Sequence, residues 1–116
     1  MAEWLDNCRL LCAVGNTRAQ FMEIDPRCFE RACLTVVDSV HAWHEAGELI
    51  AASATVPQEA RSTLAAITKD DSAIPQDGLV VFKSVGTALQ DLALAGRCYE
   101  LLHGKPGTPD LPDLCC

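Results

Sequence analysis

Short apolar runs alternate with polar, turn-prone stretches along this chain, and their lengths predict an α/β order. Arg9 to Val14 is an apolar run stopped by Gly15, which reads as a buried strand. Asp25-Pro26 suits a helix start, with Asp as cap and Pro in the first helical position, and that helix is expected to run through Phe29 to about Ala32. Leu34 to Val37 is a second, β-branched strand ending at Asp38-Ser39. Strand, short crossover and strand predict a βαβ unit with parallel pairing. A helix through Val40, Trp43, Gly47 and Ile50 follows, its apolar spacing fitting one face. Thr55-Val56-Pro57-Gln58 has a capping pattern, and Ala60, Leu64 and Ile67 continue a helical period. Turns at Lys69–Ser72 and Pro75–Gly78 lead to a third strand, Leu79 to Phe82. The longest helix comes last, with Leu89, Leu92, Ala95, Tyr99 and Leu102 on one stripe and Gly104 as its stop. Residues 105–116, with three prolines, read as a flexible tail.

Three parallel strands make a poor isolated sheet, because such strands need both faces covered and their edges protected. The pattern therefore predicts an incomplete three-layer sheet, a portion of a larger doubly wound α/β fold.

Composition narrows the partners. The chain has 116 residues, of which 49% are hydrophobic and 5% aromatic, so a core would be built from Leu, Val, Ile and Ala. Sixteen acids against nine bases give a net charge of −7, a field that repels phosphate backbones and anionic membranes. Nucleic acid and membrane are thus excluded as expected partners. The acidic start lacks the basic, then apolar, pattern of a secretory signal, and no run approaches the roughly 20 apolar residues of a membrane span. A cytoplasmic protein is expected. Seven cysteines fit free thiols in a reducing compartment better than a disulfide framework. Cys8, Cys12, Cys28, Cys33 and Cys98 lie in or beside apolar runs and read as small buried hydrophobes, whereas Cys115 and Cys116 read as exposed.

Four places carry candidate chemistry. Val14-Gly15-Asn16-Thr17-Arg18 closes the first strand, where ligands of open α/β sheets sit; Gly15 admits close approach and Arg18 offers a fork to a carboxylate. The plainer alternative there is an ordinary turn with a solvated Arg. Lys83-Ser84-Val85-Gly86-Thr87 places a cation and hydroxyls at a helix start, an arrangement suited to an anion, against the alternative of Ser or Thr capping its own helix. No Gly-x-Gly-x-x-Gly or Walker spacing occurs. The cysteines with His41 and His44 lack zinc-type spacing, and no metal is expected. Among Glu23, Asp25, Asp38, Glu45 and Asp91, Glu45 is the best proton-transfer candidate, although a surface Glu explains it as simply; Asp25 reads as a cap and Asp38 as a strand-end turn residue.

Three blocks extend this reading. Phe82-Lys83-Ser84-Val85-Gly86-Thr87-Ala88-Leu89-Gln90-Asp91, then Ala13-Val14-Gly15-Asn16-Thr17-Arg18-Ala19 with Glu23-Ile24-Asp25, then Val37-Asp38-Ser39 with Glu45-Ala46-Gly47-Glu48-Leu49, resemble motifs near the C-terminus of the ornithine cyclodeaminase/mu-crystallin family. The resemblance covers Leu11 to Leu102 and implies the last third of such a protein. It implies residues 1–50 as the C-terminal part of a Rossmann-like NAD(P)-binding domain, and residues 51–104 as a returning segment of the substrate and dimerisation domain. Val14, Gly15 and Ser84 are then expected beside the nicotinamide of NAD or NADP. Thr17, Arg18 and Glu45 are expected at the pocket for an imine or amino acid. Thr17 stands where cyclodeaminases carry a catalytic Asp, which favours a reductase, a dehydrogenase or a ligand-binding relative. The glycine-rich fingerprint and the substrate-holding Lys and Arg of the family would lie upstream.

The expectation is therefore a fragment of an NAD(P)-dependent oxidoreductase or cyclodeaminase-like protein, as a homodimer or joined to its missing N-terminal portion. The rivals are a non-catalytic binding or dimerisation module and a truncated, inactive reading frame.

Overall fold

A computed structural model describes residues 2–103. Four parallel strands form one sheet: β1 (Leu10–Val14), β2 (Ala32–Val37), β3 (Arg61–Thr63) and β4 (Leu79–Ser84), in the spatial order β1-β4-β2-β3. The α/β class and the incomplete parallel sheet expected from the sequence are found. The expected direct pairing of β1 with β2 is not, because β4 lies between them. β4 pairs Val14 with Ser84 on one side and Val37 with Lys83 on the other. The strand also continues through Lys83 and Ser84, two residues beyond the expected Phe82, so Lys83 enters the sheet instead of standing at the helix start.

The helices are α1 (Arg27–Glu30), α2 (Ala42–Glu45), α3 (Gly47–Ala52), α4 (Leu64–Ile67) and α5 (Ala88–His103); the first four are shorter than the periodicity suggests, while α5 spans the expected stretch. Phe29 of α1, Ala42 and Trp43 of α2, and Leu49 and Ala52 of α3 pack with Val37, Leu79 and Val81 as the core on one sheet face. Complete burial of a side chain such as Phe29 or Leu49 contributes on the order of 1.5–3 kcal/mol.

The helix expected through Gly47 is two helices joined at Ala46, whose extended ψ of 126° ends α2 and opens α3. Close packing at Gly47 accompanies this break. A Cβ on Gly47 would lie 2.3 Å from the carbonyl oxygen of Phe21 and 2.6 Å from that of Ala19. The bend also buries Glu48 completely.

The helix expected from Pro57 to Ile67 is a 3-10 turn over Gln58–Ala60, then β3, then the single turn of α4. Tertiary contacts override the local period here. β3 pairs with the edge of β2, while the Arg61 guanidinium lies 4.1 Å over the Trp43 ring. It donates to the carbonyls of Val56 and Ser53. Thr63 caps α4 by accepting from the Ala66 N–H.

The opposite sheet face is less covered. Leu10, Cys12, Val36, Val80 and Phe82, with Leu64, Ile67 and Ile74, line a mainly apolar cavity of about 390 Å³. β1 pairs only with β4, so its far edge carries no strand partner among the described residues. Of the cysteines expected inside, Cys28 is buried and Cys8 half-buried, but Cys12, Cys33 and Cys98 are exposed, and all five are free thiols. Cys33 is displaced by a register shift between Ala32 and Leu34, and Cys12 faces the open cavity.

Residues Met1–Gly86 form one compact unit, and α5 belongs to a second that begins at Thr87. In α5, taken by itself, Leu89, Leu94, Leu101 and Leu102 are exposed. Gly104 and the expected flexible tail, with Cys115 and Cys116, lie outside the described residues. Among the described residues no helix is long and apolar enough to cross a membrane.

Gly47→Ala forces a methyl group into backbone carbonyls and is expected to cost about 1–3 kcal/mol, read as a lower urea midpoint; an unchanged midpoint contradicts this packing.

Candidate functional site

Loops and side chains at the carboxyl ends of β1, β2 and β4 are held by two polar clusters. The first centres on Lys83, which is completely buried. Its ammonium donates to Glu23 Oε2 at 2.6 Å and faces Glu48 Oε1 at 3.0 Å. The Glu48 contact is an ion pair without hydrogen-bond alignment, which leaves Oε1 with no hydrogen-bond donor. Glu48 Oε2 accepts from Asn16 Nδ2 at 2.8 Å. Asn16 organises the loop after β1: its Nδ2 also reaches the Arg18 and Phe21 carbonyls, and its Oδ1 accepts from the Arg18 N–H. Its backbone N–H donates to Glu23 at 3.3 Å. Gly15 gives the Glu23 carboxylate room, since a Cβ there would lie 3.1 Å from it.

The hydrogen bond from Lys83 holds the Glu23 carboxyl below its ordinary value of 4.5, against the opposing effect of partial burial. Beside this cluster, the Arg27 guanidinium holds Asp25 down at about 2. Asp25 also accepts from the Arg27 backbone N–H at the start of α1, much as a cap would.

The second cluster centres on Asp38. Its Oδ2 accepts from Ser84 Oγ at 2.7 Å, from the Val85 N–H at 3.0 Å and from the Gly86 N–H at 2.7 Å. Its Oδ1 accepts from the Ser39 N–H at 2.9 Å. Gly86 turns the chain with a φ of +82°, a conformation that favours glycine. Asp38 is thus a strand-end residue, as expected, but it grips a neighbouring strand rather than only its own turn. Of the two alternatives at Lys83–Thr87, these bonds leave no open anion cradle among the Lys83, Ser84, Val85 and Gly86 donors. The Lys83 ammonium, the Ser84 hydroxyl and the Val85 and Gly86 amides already face carboxylates of the chain. Thr87 follows the simpler alternative: its N–H donates to Gln90 Oε1 at 3.0 Å, as in one half of a capping box.

The other sequence candidates fall in different places. Val14 and Ser84 are register partners, with Gly15 next in line, so the geometry brings this trio together. Val14 is exposed and Ser84 is nearly buried. Thr17 and Arg18 are exposed on the loop shaped by Asn16. Glu45 ends α2, exposed, and no hydrogen bond joins it to that trio. His44 lines a separate hollow of about 520 Å³ with Trp43, Arg61 and Thr63. No group of three or more possible metal ligands occurs among the described residues.

Sequence reasoning singled out Lys83 and Glu23 but missed their meeting, and it missed Asn16 and Glu48 as their partners. One signal was available: Glu48 sits between Gly47 and Leu49, where an ionisable side chain needs a partner if the helix face is buried.

A parallel sheet with polar groups gathered at the carboxyl ends of its strands defines the class, part of an open α/β fold. The chain belongs to the ornithine cyclodeaminase/mu-crystallin family, whose model matches residues 1–106. It is 34% identical over 99 residues to Delta(1)-pyrroline-2-carboxylate reductase 2 of Burkholderia ambifaria, a match covering 85% of this chain and 30% of that protein. It is also similar to the crystal structure of a probable ornithine cyclodeaminase from Bordetella pertussis Tohama I. That likeness has a TM-score of 0.74 and 32% identity, over 86% of this chain and 33% of the other. The chain thus spans about a third of the length of these relatives.

Two outcomes test the Lys83 cluster. Lys83→Met leaves Glu48 buried without its cation and should cost about 3–5 kcal/mol, while Lys83→Met with Glu48→Leu should recover most of that loss in a denaturation cycle. Strict additivity of the two substitutions contradicts the pairing. For pH, a depressed folded-state value means that the Glu23 contribution is complete above its unfolded value and is lost as pH falls through the folded one. Protection factors in residues 16–23, corrected for the intrinsic exchange rate, should therefore fall on acidification below about pH 4.5, and Glu23→Gln should flatten that acid limb.

Proposed function

We propose that this chain supplies the nicotinamide-side wall and part of the substrate pocket of an NAD(P)-dependent oxidoreductase acting on an imine or amino acid. The observation that carries the reading is the adjacency of Val14, Gly15 and Ser84 at paired strand ends in a member of this family. Val14 offers exposed apolar surface for a ring, and Arg18 offers a guanidinium for a substrate carboxylate. Thr17 and Glu45 are assigned to the pocket on family likeness. A hydroxyl at Thr17 favours imine reduction or amino-acid dehydrogenation over deamination, and one relative is named as a reductase.

The residues present fit one end of the dinucleotide. They include no Gly-x-Gly-x-x-Gly turn for the pyrophosphate, and the backbone amides after β4 are occupied by Asp38. The cofactor, when bound, supplies hydride chemistry. In this chain's share of the work, the Lys83 cluster holds the Asn16–Arg18 loop, and Asp38 holds the turn after β4. The strand edge of β1 and the apolar cavity beside it are where further strands and helices of a whole enzyme would attach. In this reading residues 1–50 complete a nucleotide-binding domain and residues 51–104 return to a substrate and dimerisation domain. A second reading, an association module without catalysis, draws on the exposed leucines of α5.

The purified 116-residue chain is expected to show no oxidation of NAD(P)H with a cyclic imine. Mixed with the N-terminal two-thirds of the Burkholderia ambifaria reductase, it should form a complex that turns over. Turnover by the chain alone, or a stable folded dimer that ignores the added portion, would overturn the proposal.

A further inference from the structure

At the carboxyl ends of β2 and β3 lies the separate hollow of about 520 Å³, a size common to small-molecule sites. Val14, Gly15 and Ser84 do not line it. Val40 and Ile50 are exposed along its wall, beside buried Val37 and Trp43. His44, Gln58, Arg61 and Ser62 supply polar groups, and no Asp or Glu lines it, although the chain holds sixteen acids. Arg61 is half-buried, and among the described residues no carboxylate comes within ion-pair reach of it. Its guanidinium is nonetheless held in place. Stacking over Trp43 at 4.1 Å sets its plane. Nε donates to the Val56 carbonyl at 3.2 Å, and Nη2 donates to the Ser53 and Val56 carbonyls at 2.5 and 2.6 Å. These bonds engage Nε and Nη2 and leave the N–H groups of Nη1 without a partner among the described residues. The Gln58 amide and the Ser62 hydroxyl likewise have none there.

We propose that this hollow binds a small organic monocarboxylate: Arg61 Nη1 donates to the carboxylate, Gln58 and Ser62 add neutral donors, and the apolar body of the ligand lies over Val40 and Ile50. Charge balance selects a single negative charge. Arg61 is the one permanent cation lining the hollow, so a monoanion is neutralised there. A dianionic phosphate monoester would leave an excess negative charge in a chain already at −7. The carbonyls on Nε and Nη2 keep the fork from turning away, which lowers the ordering cost of binding. The assignment is independent of any role of Val14, Gly15 and Ser84, since it uses none of them.

Benzoate and benzamide, alike in ring and different in charge, are suitable probes for NMR titration of the full chain, with phenyl phosphate as the dianion. Benzoate should shift the Ser62 and Thr63 amides and the Trp43 indole N–H. Benzamide should need about tenfold higher concentration for the same shift, as when a neutral bond replaces a charge-assisted one. Phenyl phosphate should bind more weakly than benzoate. Arg61→Gln should erase the preference for benzoate over benzamide. Because Arg61 also ties β3 to the Ser53 and Val56 carbonyls, a second variant decides the matter if that protein does not fold. Val40→Asp sets a carboxylate at an exposed wall position and should weaken benzoate about tenfold while leaving benzamide nearly unchanged. Equal binding of benzoate and benzamide, tighter binding of phenyl phosphate, or unchanged benzoate binding in Val40→Asp overturns the proposal. So does the absence of any shift, or shifts confined to residues 15–18 and 84–86.

Discussion

The Lys83 ammonium has no access to water and must be stabilised by what surrounds it. Removing such a cation from solvent costs several kcal/mol, which is recovered only when opposite charges meet it at close range and in the right directions. Glu23 comes from the loop after β1, Glu48 from α3 and Lys83 from β4, so the requirement brings three distant segments together. Asn16 extends the tie by sharing Glu48 and bonding carbonyls of its own loop. The packing of Gly47 against the Ala19 and Phe21 carbonyls follows the same geometry, since any side chain there would push the loop away from Glu48. Breaking a buried pair of this kind by removing one partner costs more than the intact pair contributes, because it leaves the other charge buried and uncompensated.

Asp38 performs a parallel task one strand over. It joins the end of β2 to the turn after β4, while Lys83 and Glu23 join β4 to the loop after β1. Together the clusters fix the relative positions of Val14, Gly15 and Ser84. They also explain the three sequence blocks physically: each block contributes a charged or amide side chain to a bond with another block.

Much of the sheet was legible because β1, β2 and β4 are apolar runs, with clear stops at Gly15 and Asp38; the end of β4 was set two residues early, because Lys83 and Ser84 are polar yet stay in the strand. β3 was not, because Arg-Ser-Thr has no strand-like hydrophobicity; its conformation depends on the β2 edge and on Arg61 stacking over Trp43. Spatial order was hidden as well, since local pattern cannot show a later strand inserting between two earlier ones. The extent of α5 was legible from its apolar period and the glycine that follows it, because periodicity marks a helix with one apolar face and says nothing of what covers that face. In the candidate site, the residue types at the strand ends were readable, but the direction of their hydrogen bonds was not. That direction depends on Asp38 and Glu48, whose partners lie far along the chain.

Side-chain nitrogen NMR of Lys83 in the full chain examines the tie itself. The ammonium signal should be protected from solvent exchange, with scalar couplings across hydrogen bonds linking it to the Glu23 carboxyl carbon. A Lys83 signal that exchanges as fast as that of exposed Lys69, with no coupling to a carboxylate, would contradict the account.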